Sequence, residues 1–189
     1  MIYTLDDASW IEQGFLPPEM TWDFEKLWSL HPEEFGQVRY FDKTVKTPRW
    51  QQSYCKPYYF SGMMHDALPL PEEFKPFLDW AKIHSSQLNQ VVANWYLNGH
   101  HYISKHSDCE SQLVARAHIL AISLGQTRTF RVRRKVDNEV VVDIELPDRS
   151  YIIMGGAMQE RYFHEITKVS GKKGENIGRR ISLTFREFK

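Results

Sequence analysis

Arg179-Arg180-Ile181-Ser182-Leu183-Thr184-Phe185-Arg186-Glu187-Phe188, near the C-terminus, alternates with a period of two. Ile181, Leu183 and Phe185 fall on one face of a strand, and Arg180, Ser182, Thr184 and Arg186 on the other. The apolar face asks for a core. The opposite face, two arginines flanking two hydroxyls, has two readings. One is the solvated side of an antiparallel sheet. The other is a seat for a small dianion, because each guanidinium offers a rigid, permanently charged fork for a carboxylate. Two such forks six residues apart are separated by roughly 20 Å at most.

Upstream, "YISKHSDCE" (102–110) sets His106 and Asp108 two apart, so an extended chain turns both to one side and Ser107 to the other. His164 follows in "QERYFHEIT" (159–167). Two neutral imidazoles and one carboxylate are the set that holds non-haem Fe(II) on one face and leaves the opposite positions open. In a chain with 8 His and 24 acidic residues, an H-x-D in a surface loop also arises by chance. The arginine strand gives the trio its weight, since an iron site of this kind needs 2-oxoglutarate, a dicarboxylate that chelates the metal and supplies two electrons. Cys109 points away from Asp108 on a strand and is not expected to be a ligand.

Five blocks in order resemble the AlkB family of Fe(II)- and 2-oxoglutarate-dependent dioxygenases, in particular its nucleic-acid demethylases. They are "TPRWQQSYCKPYYFSG" (47–62), "NWYLNGHHYISKHSDCE" (94–110), "ILAISLGQTRTFRVR" (119–133), "MGGAMQERYFHEITK" (154–168) and "RRISLTFR" (179–186). Ser182 departs from the asparagine of many relatives, although Arg180-x-Ser182 occurs in other 2-oxoglutarate enzymes. The first forty residues match no block. The resemblance implies a double-stranded β-helix, or jelly roll, of α+β but mainly β class, with supporting helices packed on one side. It implies Fe(II) on His106, Asp108 and His164, O2 as oxidant, and 2-oxoglutarate held by Arg180 and Arg186 with Ser182 assisting Arg180. Asn94 and Tyr96, on one strand face, match the family's co-substrate pair; a buried polar pair satisfied within the sheet is the plainer alternative. The implied reaction removes N-alkyl groups from bases such as 1-methyladenine and 3-methylcytosine in DNA, a direct-reversal repair releasing formaldehyde. RNA or a non-nucleic-acid substrate, or a silent binding barrel, are the alternatives.

A base must leave its duplex to reach a buried metal. Phe60, with His106 opposite, is the expected clamp, and Tyr58 the expected partner of a phosphate or the base. Glu110, two beyond Asp108, is placed to accept from the exocyclic amine of a cationic methylated base. A solvated acid is its plainer reading.

With 189 residues the chain fits one domain. We expect an acidic N-terminal extension at 1–40, a nucleotide-recognition segment with a support helix at 41–92, and the catalytic core at 93–189. Net charge is zero, but residues 1–40 hold eight acids and two bases, a net of −6, whereas 126–189 hold fourteen bases and nine acids, a net of +5. The latter stretch contains the basic clusters Arg128 to Lys135 and Lys168 to Arg180. Solvated rims explain such clusters; phosphate contact by Lys168, Lys172 and Lys173 from a flexible glycine-rich loop is the functional reading. "WDFEKLWSL" (22–30) and "LPLPEEFKPFLDWAKIHSSQLNQ" (68–90) read as helices, and from Val91 onward short β-branched and aromatic runs read as strands. "MIYTLDDASW" (1–10) lacks a basic-then-apolar leader and two cysteines make no disulfide framework, so a reducing intracellular setting is expected. No apolar run approaches the ~20 residues of a membrane span. A monomer acting on nucleic acid, without a membrane, is the expected form.

Overall fold

The computed structural model describes residues 1–189, apart from the side chain of Tyr40. Two sheets carry the architecture. The larger has eight strands in the order Ile2–Thr4, Ser9–Phe15, Ser150–Gly156, Ile119–Gly125, Arg180–Arg186, Gln90–Tyr96, Trp50–Tyr54 and Ala67–Leu68. The smaller has four, Ile103–His106, Tyr162–Ile166, Arg128–Arg134 and Val140–Leu146. All pairings within these two sheets are antiparallel except that of Trp50–Tyr54 with Ala67–Leu68. This is the jelly roll that the strand pattern and the resemblance call for. No helix is long and apolar enough to cross a membrane.

Strand Arg180–Arg186 lies inside the large sheet, Ser182 facing Ser123 on one side and Asn94 on the other. Ile181, Leu183 and Phe185 are fully buried against Leu27, Phe74, Phe77 and Leu78 from the helical side. The polar face is not solvated either: Arg180, Ser182 and Arg186 are all buried, turned into the space between the sheets. That space is walled by a second apolar cluster, which includes Tyr96, Phe130, Leu146, Ile152 and Met154.

Helix Phe24–Trp28 starts where Asp23 Oδ1 accepts from the Glu25 and Lys26 amides at 2.9 and 3.2 Å. Trp95 Nε1 donates to Leu27 O at 3.1 Å and fixes that helix to the sheet. The second helix is shorter than its sequence suggests. A 3-10 turn, Glu72–Phe74, leads into Lys75–His84, and extended Ser85 (φ −153°) ends it before "SQLNQ". The acidic first forty residues are not all peripheral, since Ser9–Phe15 pairs along the whole of Ser150–Gly156. Two hairpins, Gln37–Tyr40 with Lys43–Lys46 and Tyr58–Phe60 with Met63–His65, stand apart from both sheets.

The stretch read as a flexible glycine-rich loop is instead a docked turn. Gly171–Glu175 is helical, Gly174 is buried, and Gly99 N donates to Gly174 O at 2.8 Å. A Cβ on Gly174 would lie 2.1 Å from Val169 O, so a side chain is excluded by the close approach of two backbones.

Candidate metal and co-substrate site

Pairing of Ile103–His106 with Tyr162–Ile166 puts His106 directly opposite His164. Asp108 follows on the segment that leaves the first strand. Ligand atoms of the three residues all lie within 4.8 Å of one another, with His164 Nε2 3.5 Å from Asp108 Oδ2. His106 Nδ1 sits 2.9 Å from Ser104 O, which makes Nδ1 the protonated nitrogen and leaves Nε2 for a metal. His164 stacks on Phe130 with ring centroids 5.2 Å apart.

Burial lowers the pKa of both imidazoles, that of His164 to about 3, with His106 the next cause. Burial pulls the Asp108 carboxyl upward, but Arg186, then His164 and His106, outweigh it and hold it below the usual range. Two neutral imidazoles and one ionised carboxylate therefore converge without needing to lose protons, a donor set that fits a divalent cation. A base whose pKa falls on folding leaves the native state binding fewer protons than the unfolded chain. Stability must then fall as pH drops from about 6.5 toward 3, at up to about 1.4 kcal/mol per unit. We expect metal-free protein to lose about 2 kcal/mol between pH 7.5 and 5 through His164 alone. Urea unfolding checks this, and His164→Leu should flatten that slope.

Beyond the trio, the cavity is lined by Asn94, Tyr96, Arg180, Ser182 and Arg186. Its two arginines are not equivalent. Arg186 is ion-paired with Asp108 and lies 3.4 Å from Glu110, so the chain's own carboxylates neutralise it. Arg180, at 1 % exposure, donates through Nη2 to Ser123 Oγ at 2.8 Å and lies 4.9 Å from the Tyr96 ring. Its Nε and Nη1 have no partner, and no carboxylate comes within ion-pair distance among the described residues. A buried guanidinium without an anion is unfavourable, and a ligand carboxylate is what it lacks. These donors fit the distal end of 2-oxoglutarate. Arg49, which the sequence marks only as part of a motif block, is buried and donates to Asn94 Oδ1 at 2.7 Å and to Gln51 Oε1 at 2.9 Å.

On the trio's other side, Phe60 meets His106 edge to face, centroids 5.9 Å apart at 80°. A base held between parallel rings needs about 7 Å, two van der Waals contacts, so the expected clamp forms only if Phe60 turns. Tyr58 is buried, stacked on His65 at 4.9 Å, and burial raises its pKa to about 12. That placement removes it from any surface phosphate and sets its ring 6.0 Å from that of Phe60 and 5.4 Å from the Arg186 guanidinium. Glu110 is buried, not solvated. Burial raises its pKa, and neither carboxylate oxygen has a hydrogen-bond partner among the described residues. Phe60, Arg49, Tyr102, Lys105 and His106 line a groove of about 420 Å³ that opens under hairpin 37–46.

The basic clusters divide. Arg131, Arg133 and Arg134 are paired with Asp143, Glu165 and Asp137, and Arg128 is buried beneath backbone oxygens of Asn98, His101 and Thr167. They are not available to phosphates. Lys168 lies over the Tyr102 ring at 5.6 Å, next to the groove, while Lys172 and Lys173 are exposed on the docked turn. Cys109 is exposed and outside the metal cluster.

The model of the 2OG-Fe(II) oxygenase superfamily matches residues 10–186, taking in most of the stretch that carried no recognisable block. DNA oxidative demethylase ALKBH2 of Homo sapiens is 26 % identical over 185 residues, covering 90 % of this chain and 68 % of its own length. Alpha-ketoglutarate-dependent dioxygenase alkB homolog 3 of Rattus norvegicus is 28 % identical over 181 residues, covering 89 % of this chain and 59 % of its own. The chain thus spans about three-fifths to two-thirds of the length of these relatives. The solved structure of OsALKBH1 superposes with a TM-score of 0.67 at 16 % identity, covering 99 % of this chain and 100 % of that one, and so shares the fold. A two-histidine, one-carboxylate cluster and an uncompensated arginine inside this jelly roll, together with a family match along nearly its whole length, make the chain a member of the 2OG-Fe(II) oxygenase superfamily, of the AlkB type.

Proposed function

We propose that the chain removes N-methyl groups oxidatively from nucleic-acid bases, DNA foremost, releasing the methyl carbon as formaldehyde. One observation carries this reading. The metal trio shares its cavity with a buried cation lacking an anion, Arg180, and stands beside a buried carboxylate, Glu110, whose oxygens accept no hydrogen bond and which lies 3.4 Å from Arg186. A dianionic co-substrate suits the first, and a cationic base such as 1-methyladenine or 3-methylcytosine suits the second.

When bound, Fe(II) with 2-oxoglutarate and O2 supplies the oxidising chemistry. His106, Asp108 and His164 would hold the metal. Arg180, helped by Ser182, Asn94 and Tyr96, would orient the co-substrate's far carboxylate, and Arg186 would hold Asp108 in place. Ile103, Phe130, Leu146 and Ile152 exclude water from the reacting atoms. Phe60 would turn to stack on the extruded base, an interaction worth about 1–3 kcal/mol. Glu110 would accept from its exocyclic amine and complement its charge. Lys105 and Lys168, with Lys172 and Lys173 farther out, would meet the phosphates.

Formaldehyde release from methylated single-stranded DNA, duplex DNA and RNA tests the reading, with DNA expected to lead. RNA alone as substrate would favour the second reading, and absence of succinate formation would leave only a binding barrel. Glu110→Ala should lower 1-methyladenine turnover about 10- to 100-fold, the value of a charge-assisted hydrogen bond, while substrate-uncoupled succinate formation continues. Unchanged demethylation would remove Glu110 from the mechanism.

A further inference from the structure

His106 and His164 stand on paired strands, but Asp108 does not. It lies in residues 107–110, which have no regular structure. Its carboxylate is gripped by Arg186, and its main chain is held by a different group: Asp108 N donates to Gln159 Oε1 at 2.9 Å. Gln159 belongs to the short helix Met158–Arg161, just before the strand that carries His164. Lys135, at the end of strand Arg128–Arg134, ties the two segments together. Its Nζ donates to Ser107 Oγ at 2.8 Å and to Gln159 O at 2.7 Å, and lies 5.1 Å from the Phe163 ring. The Gln159 amide also rests on Met154 Sδ at 3.4 Å, and Met154 lines the co-substrate cavity.

We propose that Gln159 and Lys135 are positioning residues that set the metal affinity of the His106–Asp108–His164 site by fixing the main chain of Asp108. The proposal rests on the reading of that trio as a metal site. A carboxylate ligand on an irregular segment must be held within about 0.5 Å of its coordinating position. Here a side-chain amide and an ammonium supply what a strand ladder supplies to the two histidines. Removing the Gln159 acceptor leaves the Asp108 amide without a partner and frees the segment to drift away from the histidines. Lys135, a cation bound to a hydroxyl and a carbonyl, makes no close ion pair among the described residues, and Glu160 is the acid it attracts from farther off. Its two hydrogen bonds tie the Asp108 segment to the Gln159 helix.

Mn(II) binding to the intact chain, followed by the electron-paramagnetic-resonance signal of free Mn(II), tests the idea together with melting of the metal-free protein. Gln159→Met should weaken Mn(II) binding about 10- to 100-fold, the usual size of a lost outer contact to a ligand. Lys135→Met should shift it in the same direction. The metal-free melting temperature should move by only a few degrees in both, and Gln159→Glu, which keeps an acceptor for the Asp108 amide, should restore most of the affinity. If Gln159→Met does not fold, half-buried Lys135→Met carries the test. Wild-type affinity in the variants would overturn the proposal alone. So would a loss that merely follows the melting temperature. A wild-type chain that binds no Mn(II) would overturn the metal reading itself.

Discussion

Arg180→Met will raise the 2-oxoglutarate concentration for half-maximal turnover by about 30-fold or more, yet leave the ligand-free protein as stable as before or more so. Truncating one partner of a buried, hydrogen-bonded charge pair costs about 2–5 kcal/mol of binding, or roughly 30- to several-thousand-fold. In the ligand-free protein the substitution has the opposite effect. Arg180 is buried with two nitrogens unpartnered, and it lies close enough to Arg128 to repel it. Burial first, and then repulsion by Arg180, bring Arg128 down to about 10. Replacing an uncompensated buried charge by an apolar chain of similar volume is often neutral or stabilising. Kinetics over a range of 2-oxoglutarate, thermal melts without ligand, and Mn(II) binding expected to stay near wild type would check the three parts together. Lower stability with an unchanged half-saturation point would mean that Arg180 is a structural cation and the co-substrate lies elsewhere.

Much of this site could be read from the sequence because it is written in short-range patterns. A period of two put Arg180, Ser182 and Arg186 on one face, and the two-residue step in His106-Ser107-Asp108 put both ligands on one side. Short β-branched and aromatic runs from Val91 onward located four of the eight strands of the large sheet. What escaped depends on contacts between distant residues. Strand Ser9–Phe15 turns Ser9 and Ile11 inward, so only one large apolar side chain marks its buried face. The Arg128–Lys135 cluster suggests a basic surface, but acids from neighbouring strands and from the hairpin turn neutralise its outer members and backbone carbonyls enclose Arg128. Charge counts along a chain carry no information about such partners. The difference between Arg180 and Arg186 was equally hidden, since nothing near either residue in the sequence tells which will meet Asp108 and Glu110, some 78 residues away. Gln159 and Lys135 lie in segments whose apolar spacing is unremarkable, and only the folded chain brings them to the Asp108 main chain.

Asp108→Ala should abolish metal binding and turnover and also destabilise the metal-free protein, because Asp108 is both the proposed metal ligand and the anion of Arg186. Without a metal its carboxylate belongs to Arg186, and both groups are buried. Breaking such a pair from one side strands a charge, at a cost of about 3–5 kcal/mol. Glu110 offsets part of this cost. It lies 3.4 Å from Arg186, and its pKa is raised by burial and, in smaller measure, by repulsion from Asp108. Loss of Asp108 removes that repulsion and leaves Glu110 as the remaining carboxylate beside the guanidinium. A second substitution, Arg186→Met, should therefore return most of the stability to Asp108→Ala without restoring metal binding. The pH dependence follows from the sign of the Asp108 shift. Its folded pKa lies below the ordinary 3.8, so its contribution is complete above that value and fades as pH falls through the folded pKa. Urea unfolding of metal-free wild type and Asp108→Ala should then give a gap that its ionisation leaves constant from pH 8 to 5 and that narrows only in stronger acid. A gap that closes near pH 6 would assign the stabilising contact to a histidine. Equal stability of the two proteins at neutral pH would mean that Arg186 draws its compensation from Glu110 alone, leaving Asp108 free for the metal at no cost to the fold.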